Sequence, residues 1–225
     1  MEESERRPRP RAASDAGRDG PARDRYKRPF DLAVLALALL IPLPLWLALA
    51  AAIALAVRLE DGGPVLYRQT RLGRGGAPFE LLKFRTMAVG AEDDTGPVRA
   101  APGDPRITRV GRVLRRLHLD ELPQVVNIAK GEMSLVGPRP ERPELAEHFE
   151  REAPGFAARL RVRPGVAGLA QAEGAYHWAP RRKLHYDNLY IATMSPWLDL
   201  ALCLRCVARA WLPRRWRHAA RKTRG

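Results

Sequence analysis

From Leu32 to Val57 the chain carries no charged residue, reading LAVLALALLIPLPLWLALAAAIALAV. Wound as one α-helix this run would extend ~39 Å, longer than the ~30 Å hydrocarbon core of a bilayer. A buried helix of a soluble domain is shorter and keeps a polar stripe, so the segment belongs in a membrane. Pro42 and Pro44 fall near its middle, where each removes a backbone donor and collides with the preceding turn; a kink or break is expected there. Basic residues flank both ends: Arg23, Arg25, Lys27 and Arg28 before it, Arg58, Arg68, Arg71 and Arg74 after it. A spanning helix would send one cluster across the membrane against the positive-inside bias. A re-entrant hairpin over residues 27–60 keeps both on one face. A proline-kinked single span is the competing arrangement.

The residues before this hairpin, 1–26, mix Arg, Pro, Gly, Ser and acids with few apolar side chains, and read as a disordered basic tail. They also lack the apolar core and cleavage site of a signal peptide. A formal net charge of +14 over 225 residues must meet something anionic: nucleic acid, anionic lipid or a phosphorylated substrate. The two cysteines, Cys203 and Cys206 in CLRC, are too few for a disulfide framework and lack the second pair of a zinc site. They read as reduced helix-face residues.

Past the apolar run, GGPVLYRQTRLGRGGAPFELLKFRTM predicts a strand from Pro64 to Gln69, a glycine-rich turn and a second strand from Pro78 to Phe84, hence a hairpin. Residues 88–107, rich in Gly, Pro and Asp, read as a mobile loop. In RITRVGRVLRRLHLDELPQVVNIAKG, Asp120 is a good N-cap and Pro123 then falls in the first turn, where a missing N–H costs nothing. Leu122, Val125, Val126 and Ala129 recur at helical spacing, and Gly131 ends the helix. Asp120 and Glu121 thus stand at a helix N-terminus, downstream of Arg115 and Arg116, and both are expected to be ionised. Such carboxylates can cap a helix, ligate a hard cation such as Mg²⁺, or attack phosphorus. In the GPRP that follows, two prolines fix the backbone around Arg139 and present its planar fork, suited to phosphate oxygens.

Five blocks, KRPFD, GPVLYRQTRLGRGGAPFELLKFRTM, DPRITRVGRVLRR, LDELPQVVNIAKGEMSLVGPRP and VRPGVAGLAQAEG, follow one another between about Lys27 and Asp199. Together they resemble the bacterial sugar transferases, monotopic polyprenyl-phosphate phosphoglycosyl transferases. The resemblance implies an α+β fold: a re-entrant membrane helix, then a small, mostly helical globular domain with a short β-hairpin, docked on the membrane interface. Residues 61–212 would be the catalytic domain and 213–225 a basic tail. The implied activity moves a phospho-sugar from a UDP-sugar onto undecaprenyl phosphate with release of UMP, on the cytoplasmic face of the bacterial inner membrane. Asp120 would be the nucleophile, forming a covalent phospho-sugar intermediate. Glu121 would help to hold Mg²⁺, so that Asp120 and Glu121 form the metal site. Lys83, Arg85 and Arg139 would contact the diphosphate, with Arg115 and Arg163 completing the substrate-binding set. The family's membrane helix breaks at a Ser-Pro pair; here Pro42 or Pro44 would serve. Members usually carry Ser or Thr where His118 stands, and Thr and Trp where Ala167 and Leu169 stand, positions that bear on the sugar or lipid pocket.

Pro196 to Leu212 is an apolar helix on which Asp199, Arg205 and Arg209 mark a narrow polar strip. It suits either the membrane interface, with Trp197, Trp211 and Trp216 as anchors, or packing on the globular domain. The basic residues after it attract anionic lipid of the inner membrane. His118, His148, His177, His185 and His218 show no metal-ligand spacing, and His177, between Tyr176 and Trp178, is a candidate pocket residue. A membrane-tethered basic protein that binds nucleotide-sugar or lipid without catalysis is the rival class. Nucleic acid is not an expected partner, because it gives no reason for Asp120, Glu121 and Arg139.

Overall fold

A computed structural model describes residues 24–40, 42–93, 96, 98, 100, 101, 103–174 and 179–211. The expected tails, apart from residues 24–26, together with the His177 segment and the Trp216 anchor, lie outside the described residues. The long apolar run is two helices, α1 (Lys27–Leu40) and α2 (Leu43–Asp61), with Pro42 at the N-cap of α2 and Pro44 in its first turn. The break therefore falls where the prolines predict it. The Trp46 indole N–H donates to Ala38 O at 2.9 Å across the bend. α2 is the one described helix long and apolar enough to cross a membrane.

Both far ends of this helix pair seat on the same globular domain. At the start of α1, Lys27 is fully buried, and Arg28 donates to Ile128 O and Ala129 O. At the end of α2, Ile53 and Val57 pack with Phe84 and Leu114. Leu37, Leu40, Leu45 and Leu47, near the bend, are exposed. Lys27 is thus not a free headgroup charge, being held inside the protein by Asp199 and the Val136 carbonyl, and the half-buried Arg28 is tied to two carbonyls. Asp24 and Tyr26, which the sequence assigns to the tail, are also built in: Asp24 accepts Arg74 at 2.8 Å, and the Tyr26 hydroxyl donates to Asp199 at 2.9 Å.

The hairpin pairs β1 (Leu66–Leu72) with β2 (Pro78–Phe84) antiparallel, Leu66 opposite Phe84. Strand alternation puts Phe79, Leu81 and Lys83 on one face. Phe79 and Leu81 pack with Leu35, Ile128 and Met133, so Lys83 lies beside the chain that leads to Ile128. α3 (Arg109–Leu117) is capped by Thr108, whose Oγ1 accepts the Gly111 N–H. The Glu60 carboxylate at the end of α2 accepts the N–H groups of Arg109 and Val110 there.

α4 (Gln124–Lys130) ends at Gly131, whose φ of 85° suits glycine. Its Asn127 is fully buried and works as an artificial strand edge: Oδ1 accepts the Leu82 N–H, and Nδ2 donates to Glu80 O at 2.7 Å. β3 (Ser134–Val136) pairs in parallel with β4 (Gly165–Ala167). A Cβ on Gly165 would overlap the backbone at Val136 and Gly137, which is why glycine stands there. α5 (Pro143–Glu152), the short α6 (Leu169–Ala172), α7 (Pro180–Thr193) and α8 (Pro196–Trp211) complete the domain.

On α8, Asp199 and Arg205 do not share the expected polar strip. Asp199 points inward and is fully buried against Lys27 at 2.7 Å, while Arg205 faces out to Glu173. Leu202 joins a core of Val136, Val162, Ala167, Tyr190 and Met194, and Trp197, Leu204 and Val207 are exposed.

Candidate active site

α3 stops at His118, a non-glycine residue with φ 56°, whose N–H returns to Leu114 O and Arg115 O. That left-handed residue turns the chain into a 3₁₀ turn, Leu119–Glu121, before α4 begins. Asp120 is therefore not an N-cap. Pro123 occupies that position and no side chain caps α4. Freed from capping, Asp120 faces a cavity of about 940 Å³ lined also by Lys83, Arg115, Glu121 and Arg139.

The two acids live in different environments. Glu121 is gripped from both sides, by Lys83 at 3.3 Å and by the Arg139 guanidinium. Burial alone would raise its carboxyl, but Arg139 and Lys83 more than offset that and hold it well below the usual carboxylate range. Asp120 is 7% exposed, and no described residue donates a hydrogen bond to its carboxylate. Burial, aided by the negative charge of Glu121, pushes its pKa up, against the pull of Lys83, Arg139 and Arg115. The environment thus favours the ionised form of Glu121 but opposes it at Asp120, where desolvation outweighs the nearby cations. Burial likewise pulls the Lys83 ammonium down, with Glu121 opposing.

The other expected contacts divide. Arg115 donates through Nε to Thr86 Oγ1 at 2.7 Å, at the cavity wall. Arg85 also lines the wall, but its guanidinium is committed to Asp61 in a bidentate pair and to Pro64 O, tying the end of α2 to the start of β1. Arg163 lies outside the cavity: its Nε donates to Gly131 O and its NH1 pairs with Asp24. Ala167 and Leu169 are core residues, whereas their neighbours Gly168, Ala170 and Gln171 line the cavity.

Sequence reasoning missed a second cluster in the same cavity, made of Arg71, Glu141, Arg159, Lys183 and Asp187. Arg159 meets Asp187 at 2.9 Å and Glu141 at 3.7 Å, and Lys183 meets Glu141 at 3.4 Å. No local signal marks these residues, because they come from four separate segments. It also missed what holds the loop after β2. Arg142 pairs with Glu92 at 2.6 Å, Arg106 donates to Asp104 and to Ala91 O, and Met87 bridges Ile107. The described part of the loop is thus fastened rather than free. Among the described residues no group of three or more His, Cys, Asp or Glu forms a metal cage.

The sequence model of the bacterial sugar transferases matches residues 22–212. A UDP-glucose:undecaprenyl-phosphate glucose-1-phosphate transferase of Caulobacter vibrioides is 46% identical over 156 residues, covering 67% of this chain and 58% of that protein. A UDP-N-acetylgalactosamine-undecaprenyl-phosphate N-acetylgalactosaminephosphotransferase of Aeromonas hydrophila is 42% identical over 67% of this chain and 36% of its own length. A UDP-glucose:undecaprenyl-phosphate glucose-1-phosphate transferase of Escherichia coli is 38% identical, over 69% and 34%. The chain thus spans about a third to three fifths of the length of these curated relatives.

Proposed function

Since the chain belongs to the bacterial sugar transferase family, we propose that it transfers a sugar-1-phosphate from a UDP-sugar to undecaprenyl phosphate through a covalent intermediate on Asp120. The observation that carries this reading is the asymmetry of the acid pair: Glu121 is neutralised by two cations, while Asp120 is buried at a cavity with no donor on its carboxylate. A carboxylate largely desolvated by burial and given no hydrogen bond by the described residues is a stronger nucleophile than a fully solvated one.

In the first half-reaction an Asp120 oxygen attacks the sugar-bearing phosphorus, the bond to the bridging oxygen breaks, and UMP leaves with that electron pair. In the second, a lipid phosphate oxygen attacks the same phosphorus and the Asp120 carboxylate departs. Lys83 and Arg139 can pass from Glu121 to the phosphate oxygens as charge moves, and Arg115 adds a third cation.

The charges of Lys83, Arg139, Asp120 and Glu121 cancel, so the diphosphate's negative charge meets little surplus from these four. A divalent ion held by one or two carboxylates plus substrate phosphates fits that deficit. Asp120 and Glu121 would hold Mg²⁺, Glu121 becoming available as its cations turn to the phosphate, and the ion would supply charge neutralisation at the diphosphate.

The membrane part of the proposal rests on the helix pair. α1 is ~21 Å long, too short to cross a ~30 Å core, and both helices return to the same domain. That supports a re-entrant anchor dipping in from the cytoplasmic face of the inner membrane and holding the cavity at headgroup level, where a lipid phosphate sits. The sugar itself differs among the relatives.

Purified protein in detergent, supplied with undecaprenyl phosphate, Mg²⁺ and a broad panel of UDP-sugars, is expected to release UMP with at least one donor. Silence across the panel would overturn the proposal. The pH profile is a second check. An Asp120 pKa above the ordinary 3.8 places the acid limb of kcat/KM higher than a solvated aspartate would, with activity rising as the carboxyl ionises. Lys83, held below the usual 10.5, brings the alkaline limb down in pH, activity falling as it deprotonates. An acid limb at or below the ordinary aspartate value contradicts the assignment.

A further inference from the structure

Every main-chain carbonyl from Pro138 to Glu141 is held by a donor from a distant segment. Pro138 O accepts the Gly165 N–H at 3.0 Å, and Glu141 O accepts the Leu72 N–H at 3.0 Å. Pro140 O accepts Arg71 NH1 at 3.0 Å, and Arg139 O accepts Arg159 NH2 at 2.8 Å. Just upstream, Val136 O accepts both Lys27 Nζ and the Tyr190 hydroxyl. Arg139 is the residue whose side chain grips Glu121, so its backbone position decides where its guanidinium ends.

Of these donors, Arg159 acts on Arg139 directly. It is 5% exposed and its partner Asp187 is 3% exposed, too enclosed to be the main contact for an anion. The Asp187 carboxylate forms an ion pair at 2.9 Å with the same NH2 that donates to Arg139 O, and the Phe156 ring centroid lies 4.7 Å from the guanidinium carbon. A charged, planar donor fixed by a carboxylate and a ring holds a carbonyl more firmly than a neutral turn can.

We propose that Arg159, fixed by Asp187, is a positioning residue: it holds the Arg139 carbonyl so that the Arg139 side chain meets Glu121 and the donor's diphosphate. The inference rests on the proposed function only for the diphosphate; the positioning of Arg139 stands without it. A shift of about 1 Å in a substrate-clamping group can cost ~100-fold in rate.

A double-mutant cycle on kcat/KM for UMP release tests this, with folding checked by melting in detergent. Arg159→Met is expected to lower kcat/KM by about 10- to 100-fold in the native background, and by less than about 3-fold when Arg139→Ala is already present. Arg159→Lys should recover part of the loss, and serves if Arg159→Met fails to fold. Independently, amide exchange of the peptide spanning Val136–Arg142 should speed up in Arg159→Met and less so in Arg159→Lys. Losses that multiply across the cycle, or exchange that does not change, overturn the inference. Should the unmutated protein release no UMP with any donor, the functional reading falls, and the exchange measurement alone decides the positioning role.

Discussion

Asparagine at position 120 is expected to give a folded protein that forms no phospho-sugar adduct and releases UMP at least ~10³-fold more slowly than the parent. The amide keeps the size of the side chain and removes the anionic oxygen that must bond to phosphorus. The effect on stability runs the other way. Burial raises the Asp120 pKa above its unfolded value, so ionising it costs more in the folded state than in the unfolded chain. Its charge therefore destabilises the fold at neutral pH, the penalty growing as pH rises from the unfolded toward the folded pKa. Asp120→Asn removes that penalty and should melt at a higher temperature than the parent. Loss of activity with gained stability separates a nucleophile from a structural acid, which would lose both. Mass spectrometry of enzyme quenched in turnover should find the adduct on the peptide bearing Asp120. UMP release unchanged in the variant would move the nucleophile elsewhere.

The second large effect belongs to Lys27. Its ammonium is fully buried, meets Asp199 at 2.7 Å, and also donates to Val136 O and Ser134 Oγ. The Tyr190 hydroxyl donates to the other Asp199 oxygen at 2.7 Å. Removing the cation leaves Asp199 charged and unpaired in the core, and breaking a buried pair from one side costs ~3–5 kcal/mol. Lys27→Met should lower the melting temperature by on the order of 10 °C. Removing both charges, as in Lys27→Met with Asp199→Leu, should recover much of that, because a buried pair contributes little net stability against an apolar replacement. If Lys27→Met alone melts within about 2 °C of the parent, this pair does not fasten α1 to α8. Because Lys27 also holds the carbonyl at the start of the Arg139 turn, the folded fraction of Lys27→Met should show reduced kcat as well.

How far the sequence can be read depends on the range of the physics involved. The break between α1 and α2 follows from proline chemistry within one turn, and β2 from a short alternating run, so both were legible. The helix expected to follow the Asp120 cap starts only at Gln124, because the αL conformation of His118 puts residues 119–121 in a 3₁₀ turn. The acids and Arg139, singled out by their motif context, do line one cavity. The family resemblance groups Arg163 with them, yet its side chain turns to Asp24 and Gly131, away from the cavity. Nothing local distinguishes a basic residue that faces a phosphate from one that closes a loop.

Short-range chemistry accounts for an apolar run broken at proline, a two-stranded ribbon, a tandem acid pair and a rigid arginine turn. All of these depend on neighbours a few residues apart. Long-range packing alone makes Lys27 a core partner of Asp199 rather than a headgroup charge, pairs Glu121 with two cations while Asp120 is buried with no donor among the described residues, and brings Arg159 to the Arg139 carbonyl. Each of those outcomes is electrostatic, and a buried charge takes its character from whichever partner the fold brings to it, here from as far as 172 positions along the chain.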